Sequence, residues 1–67
     1  MKLKFKRFHR GCYNDEYEKG KIIEYHPWDF EWQGMTEPER VKKGIFVHCY
    51  GMGEFDAFKK EDVEPIK

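Results

Sequence analysis

No apolar run in this 67-residue chain approaches the roughly 20 residues that a membrane-spanning helix needs, and none has the look of a signal-peptide core. A helical membrane protein is thereby excluded, and a soluble, cytoplasmic chain without membrane contact is expected. Cysteine is scarce as well. Cys12 and Cys49 are too few and too far apart for the disulfide framework that small secreted domains use, so both are read as reduced thiols. Net charge is missing: 13 basic residues cancel 13 acidic ones, and the total selects no partner. There is no internal repeat and no low-complexity tract, which excludes a solenoid or a tail-like chain.

Catalytic and metal-binding signatures are also absent. Gly51-Met52-Gly53 is too short for a phosphate-cradling loop and lacks the Lys-Ser/Thr that follows one, so it reads as a turn. His9 and Cys12 have the spacing of a metal-ligand pair, yet the other half would have to be His48-Cys49. Neighbouring strand residues point to opposite faces and cannot easily share one ion. No nucleophile signature surrounds either cysteine, and the carboxylate pairs Asp15-Glu16 and Glu61-Asp62 read as solvated loop residues. The expectation is a chain with no enzymatic activity, no metal and no cofactor.

What the chain does have is aromatic mass. Low mean hydropathy and 39% charged residues could signal disorder, but six Phe, four Tyr and two Trp in so short a chain supply the area that a small core needs. Residues 1–67 are expected to form one domain whose core is only just sufficient.

The pattern along the chain is that of short strands. Residues 44–58 read as a hairpin: Ile45, Val47 and Cys49 alternate with Phe46, His48 and Tyr50, glycines turn the chain at 51–53, and Phe55 and Ala57 resume the alternation. The first set is taken as the inward one. Residues 2–10 alternate Lys2, Lys4 and Lys6 with Leu3 and Phe5, and a bulge near Lys6-Arg7 is expected to turn Phe8 inward too. A polar loop follows with its turn at Asn14-Asp15. The strand Lys21–Tyr25 should face Ile23 and Tyr25 in, Ile22 and Glu24 out, until Pro27 stops it.

Residues 26–43 lack any strand pattern, but Thr36 and Glu39 have capping-box spacing, so a short helical turn is expected near 36–41. Lys59–Asp62 should make a one-turn connection to a last strand, Val63–Ile66, which Pro65 confines to an edge. The predicted core comprises Leu3, Phe5, Ile23, Tyr25, Ile45, Val47, Cys49, Phe55, Ala57, Val63 and Ile66. Together these elements predict an all-β fold, a small antiparallel barrel of about five strands with one long loop.

In the stretch GIFVHCYGMGEFDAFKKEDVEPI, the order hairpin, single turn, short closing strand resembles the closing half of an SH3-like barrel, the group that includes Tudor and KOW-type domains. The resemblance covers about twenty-five residues and rests on layout. The ALYDY-like stretch of signalling SH3 domains has no counterpart here, so proline-peptide binding is not implied. A Tudor-like reading would draw an aromatic cage from Tyr25, Trp28, Trp32, Tyr50 and Phe55, and a KOW-like one would put RNA or a ribosomal or polymerase partner against the basic first strand. In style the chain is similar to small phage-encoded proteins that bind a host target.

Two partner classes follow. Trp28, Phe30 and Trp32 crowd five residues of one loop beside Asp29 and Glu31, more ring area than a tiny barrel buries from one segment. Each indole alone is as well suited to plug the barrel end, but at least one ring should be exposed as a protein-docking anchor, with Tyr25 and Tyr50 adjoining. The alternative is nucleic acid: Lys2, Lys4, Lys6, Arg7 and Arg10 all precede the first acid, Asp15, and could meet phosphates, although alternating lysines also guard strand edges. Protein docking through residues 26–35 is the favoured function, by a monomer or by a homodimer joined along the first strand.

Overall fold

The computed structural model describes residues 1–66. In chain order its elements are β1 (Lys2–Phe5), β2 (His9–Arg10), β3 (Glu16–Tyr17), β4 (Ile22–Glu24), α1 (Glu37–Lys42), β5 (Ile45–Gly51), β6 (Glu54–Lys59) and β7 (Val63–Ile66). The chain is mostly strand, as its alternation requires.

β1 is the centre of a three-stranded antiparallel sheet, with β4 on one side and β7 on the other. Its alternation holds: Leu3 and Phe5 are fully buried while Lys2 and Lys4 are exposed. The strand was expected to run on to residue 10 as a basic edge, and both parts of that expectation are corrected. Both of its edges are paired within the chain, by β4 and β7. It also ends at Phe5, where the chain bends away and Lys6 N–H donates to the Asp62 carbonyl at 2.7 Å. Phe8 consequently faces out, 54% exposed. The inward place falls to His9, whose ring meets Phe58 edge-on at 5.2 Å.

β4 faces as its sequence predicts, Ile23 and Tyr25 inward, Ile22 and Glu24 outward. Beyond it the chain crosses to β5: the His26 carbonyl accepts from Cys49 N–H at 2.7 Å, Trp28 N–H donates to the Val47 carbonyl at 2.9 Å, and Pro27 bridges His48. Proline, with no N–H to give, fits between those two bonds. β5 and β6 form the expected hairpin, whose turn places Gly51, Met52 and Gly53 all at positive φ. The closing segment also matches, with Asp62 N–H donating to the Lys59 carbonyl and Pro65 on the outer strand of the sheet.

The hairpin presents its other face to the core. Phe46, Phe58, Tyr17, Tyr25, Leu3, Phe5 and Val63 make one buried cluster, with Ile23 and Val41 against it. The inward set of β5 is therefore Phe46, His48 and Tyr50, opposite Phe58 and Asp56, and the predicted set of Ile45, Val47 and Cys49 lies on the reverse. Val47 is nonetheless fully buried, whereas Ile45, Cys49, Phe55, Ala57 and Ile66 are only partly so. Both faces of β5 are covered, and that is why its alternation misled: with apolar residues on each side, a period of two says that faces exist and not which is inner.

The expected closed barrel of five strands is not formed. Among the described residues seven strands make three small sheets, β4-β1-β7, β2-β3 and β5-β6. Between the β5–β6 hairpin and the 11–17 segment the contacts are made by side chains: Asp56 Oδ1 and Oδ2 accept from Cys12 N–H at 3.2 and 3.1 Å, and the Tyr17 and Tyr50 hydroxyls meet at 2.8 Å. Gly11 makes room for this, since a Cβ there would lie 2.4 Å from the Asp56 carboxylate. Strands of two to four residues are too short to carry a continuous ladder round a cylinder.

Candidate functional site

The candidate site is the segment between β4 and α1. Its local shape begins with the helix. Thr36 precedes α1, and Glu39 Oε1 accepts from Thr36 N–H at 3.2 Å, the glutamate's half of a capping box, and from the Thr36 hydroxyl at 2.8 Å. These bonds hold the Glu39 carboxyl below its usual value, and the predicted helical turn is where the spacing put it.

Upstream, Trp32 and Met35 exchange both backbone bonds at 3.0 Å around Gln33 and Gly34, each at positive φ. Two central residues at positive φ make a tight hairpin turn, and the Gln-Gly dipeptide was a legible hint of it that the sequence reading passed over. Arg40 was not legible. It is fully buried, and its guanidinium donates to the carbonyls of Trp28 at 2.8 Å, Phe30 at 3.1 Å and Met35 at 3.0 Å. Nε is left without a partner. In a helix reading Glu-Pro-Glu-Arg-Val-Lys, nothing local distinguishes this arginine from a solvated one. Its three acceptors are main-chain oxygens 5 to 12 residues away, which sequence cannot assign to it.

Held by that guanidinium, the loop sets its rings in a row. Trp28 lies on Phe55 of the hairpin's reverse face with centroids 4.8 Å apart, and Phe30 meets Trp28 edge-on at 5.3 Å. Both indoles are half-buried. Phe30 is 69% exposed, with Asp29 and Glu31 exposed on either side. The expectation that one loop could not hide all three rings is met, and Phe30 is the ring left out.

Two residues assigned to the same surface are elsewhere, and that assignment is corrected. Tyr25 is 5% exposed, meets Phe46 edge-on in the core and donates to Glu37 Oε1 at 3.4 Å. Burial, reinforced by the nearby Glu37 charge, pushes its hydroxyl up to about 12. Tyr50 is half-buried on the inner face of β5 and donates to Asp56 Oδ2 at 2.9 Å. Desolvation, then its bonds to Tyr17 and Asp56, push its ionisation up, so it stays protonated.

That inner face of the hairpin also buries His48 and Asp56. His48 Nδ1 accepts from His26 N–H at 3.2 Å, and its ring stacks over Tyr25 and Phe58. Burial, then the neighbouring His26 charge, lower its pKa, which keeps the imidazole neutral as the accepting Nδ1 requires. The Asp56 carboxylate beside Cys12 raises that thiol's pKa and makes it a poor nucleophile. His48, Asp56 and Tyr50 each spend polar atoms on holding backbone or one another. Among the described residues no three or more His, Cys, Asp or Glu gather as a metal site, and both cysteines are free.

The basic residues at the N-terminus are all exposed; Arg7 and Arg10 make ion pairs, and Lys2, Lys4 and Lys6 make none among the described residues. Lys2 stands opposite Glu24 and Lys4 opposite Glu64 across the ladders, Arg7 pairs with Asp62, and Arg10 pairs with Glu16 at 2.6 Å. Only tertiary pairing reveals this, since Glu64 is sixty residues from Lys4 in the chain. A shallow open depression of about 530 Å³ lies along α1, walled by Met1, Glu37, Pro38, Glu39, Val41 and Lys42. No helix among the described residues is long and apolar enough to cross a membrane. Comparison with family models, curated proteins and solved structures finds no match.

Proposed function

We propose that this chain is a non-catalytic binding module, cytoplasmic in setting, that docks a protein partner through the aromatic loop of residues 26–35. The observation that carries the reading is Phe30, a large ring 69% exposed on a loop whose backbone is fixed from beneath by a fully buried arginine. Exposing such a ring costs solubility, and fixing the loop in advance lowers the ordering cost of association, the two properties of an interface anchor. The scaffold is read as an SH3-like barrel left open. Supporting that reading are the succession β7-β1-β4 followed by the crossing of β4 into the β5–β6 hairpin, and the single turn before β7. Ion pairs at Arg7 and Arg10, two of the five candidate bases, weigh against nucleic acid as the partner.

The test is capture with tagged full-length chain. Wild type should retain one defined protein partner, and Phe30→Ala should lose it with its circular dichroism unchanged. Neutralising Lys2, Lys4 and Lys6 together should leave capture intact. Retention by Phe30→Ala, or recovery of nucleic acid whose binding needs those three lysines, would refute the reading.

A further inference from the structure

We propose that the loop tip from Trp28 to Trp32 receives an arginine-rich basic segment of its protein partner, with a guanidinium laid against Phe30 and its charge met by Asp29 and Glu31. This rests on the docking function assigned above and adds the chemistry of what docks.

Three observations lead there. First, the sequence from residue 22 to residue 39 contains no Lys or Arg at all, while it carries Glu24, Asp29, Glu31, Glu37 and Glu39. Second, the acids of this stretch divide into used and unused. Glu24 holds the N-terminal ammonium at 3.3 Å, Glu37 accepts from Tyr25, and Glu39 closes the capping box. Asp29 and Glu31 have no ion pair and no side-chain hydrogen bond among the described residues, and they flank the most exposed ring of the loop. Third, the buried cation beneath the loop, Arg40, directs both terminal nitrogens at main-chain carbonyls and pairs with no carboxylate among the described residues. It offsets at most one of the two negative charges above it, so the tip stays net negative.

An exposed ring whose two sequence neighbours are unpaired carboxylates suits a guanidinium, which stacks by its plane and pairs by its edge. The same tip repels phosphate, carboxylate-rich peptides and anionic membrane surfaces. Because Arg40 fixes the backbone, the receiving geometry exists before the partner arrives.

The experiment uses 15N-labelled full-length chain and three 12-residue peptides of one design: alternating arginine and leucine, the same with glutamine for arginine, and the same with glutamate. The arginine peptide should shift the amides of residues 28–32, bind at least about tenfold tighter than the glutamine peptide, and weaken with added salt. The double variant D29N/E31Q, altered only at exposed side chains, should bind it about tenfold more weakly with the spectrum otherwise retained. Equal or tighter binding of the glutamine or glutamate peptide at residues 28–32 overturns the basic partner and leaves the docking loop standing. Arginine-peptide shifts confined to other acidic sites, or absent, overturn the proposal too, and the docking function is then decided by the Phe30→Ala capture alone. A single-stranded oligonucleotide that shifts the same amides also overturns it.

Discussion

The two faces of the β5–β6 hairpin are covered by different means. The inner face closes on packed rings: Phe58 lies 5.1 Å from Phe5 and 5.6 Å from Tyr17, and Phe5 stacks on Tyr17 at 4.5 Å. Its polar members, His48, Asp56 and Tyr50, are tied to backbone or to each other. The reverse face is covered by a loop, through Trp28 on Phe55, and the loop's place is set by hydrogen bonds from one buried arginine to three carbonyls. The inner face shows a core held by area and shape. The reverse face shows a loop held by direction, which needs little apolar surface and so can leave Phe30 outside.

The sharpest way to break the contrast is at the inner face. Phe58→Ala should cost about 3–5 kcal/mol for the lost burial and the cavity. A domain of this size holds only roughly 3–10 kcal/mol in all, at about 0.05–0.15 kcal/mol per residue, so the variant should lose its cooperative thermal transition in circular dichroism.

Arg40→Met keeps most of the buried volume and removes the donors, leaving the carbonyls of Trp28, Phe30 and Met35 without that partner. The expected loss is about 2–3 kcal/mol, with hydrogen exchange quickening at Trp32 and Met35 while Phe5 and Leu3 stay protected. Uniform quickening across the chain would mean that the two faces are one cooperative unit and that the contrast is false.

His48 sharpens the comparison through pH. Its pKa is lowered from the ordinary 6.5 in the folded chain, so the unfolded chain takes up the proton first as pH falls. The stability that neutral His48 contributes is full above about pH 6.5 and should be lost as pH drops below it toward the folded value. Denaturant midpoints should therefore fall through that window in wild type and change less in His48→Gln. An unchanged slope would show that proton uptake by His48 is not linked to unfolding. The smallest effect belongs to Phe30→Ala, which should move stability by no more than about 0.5 kcal/mol, since the ring is mostly in solvent. A larger loss would make Phe30 part of the cover and not of a docking surface.

Local signals served well where one neighbourhood settles a conformation. The alternation of β1, the facing of β4, the glycine turn at 51–53 and the Thr36–Glu39 cap were all readable, because each depends on residues within a few positions. The row of rings at Trp28, Phe30 and Trp32 was readable as a surplus of aromatic area, though not which ring would remain outside. Tyr25 was readable as an inward residue, but neither it nor Tyr50 gave a sign of whether its hydroxyl ends in water or on Glu37 or Asp56.

By itself, then, the sequence determined that short strands would form, where they would turn, and that its aromatic content exceeded what one small interior could take. Tertiary structure alone decided which face of the hairpin is inner, that Arg40 is buried, and that the lysines of β1 lie opposite Glu24 and Glu64. The division follows from range. Backbone preference and capping act over a few residues, whereas burial, and the acceptors that make a buried charge tolerable, are supplied by segments that meet only once the chain has folded.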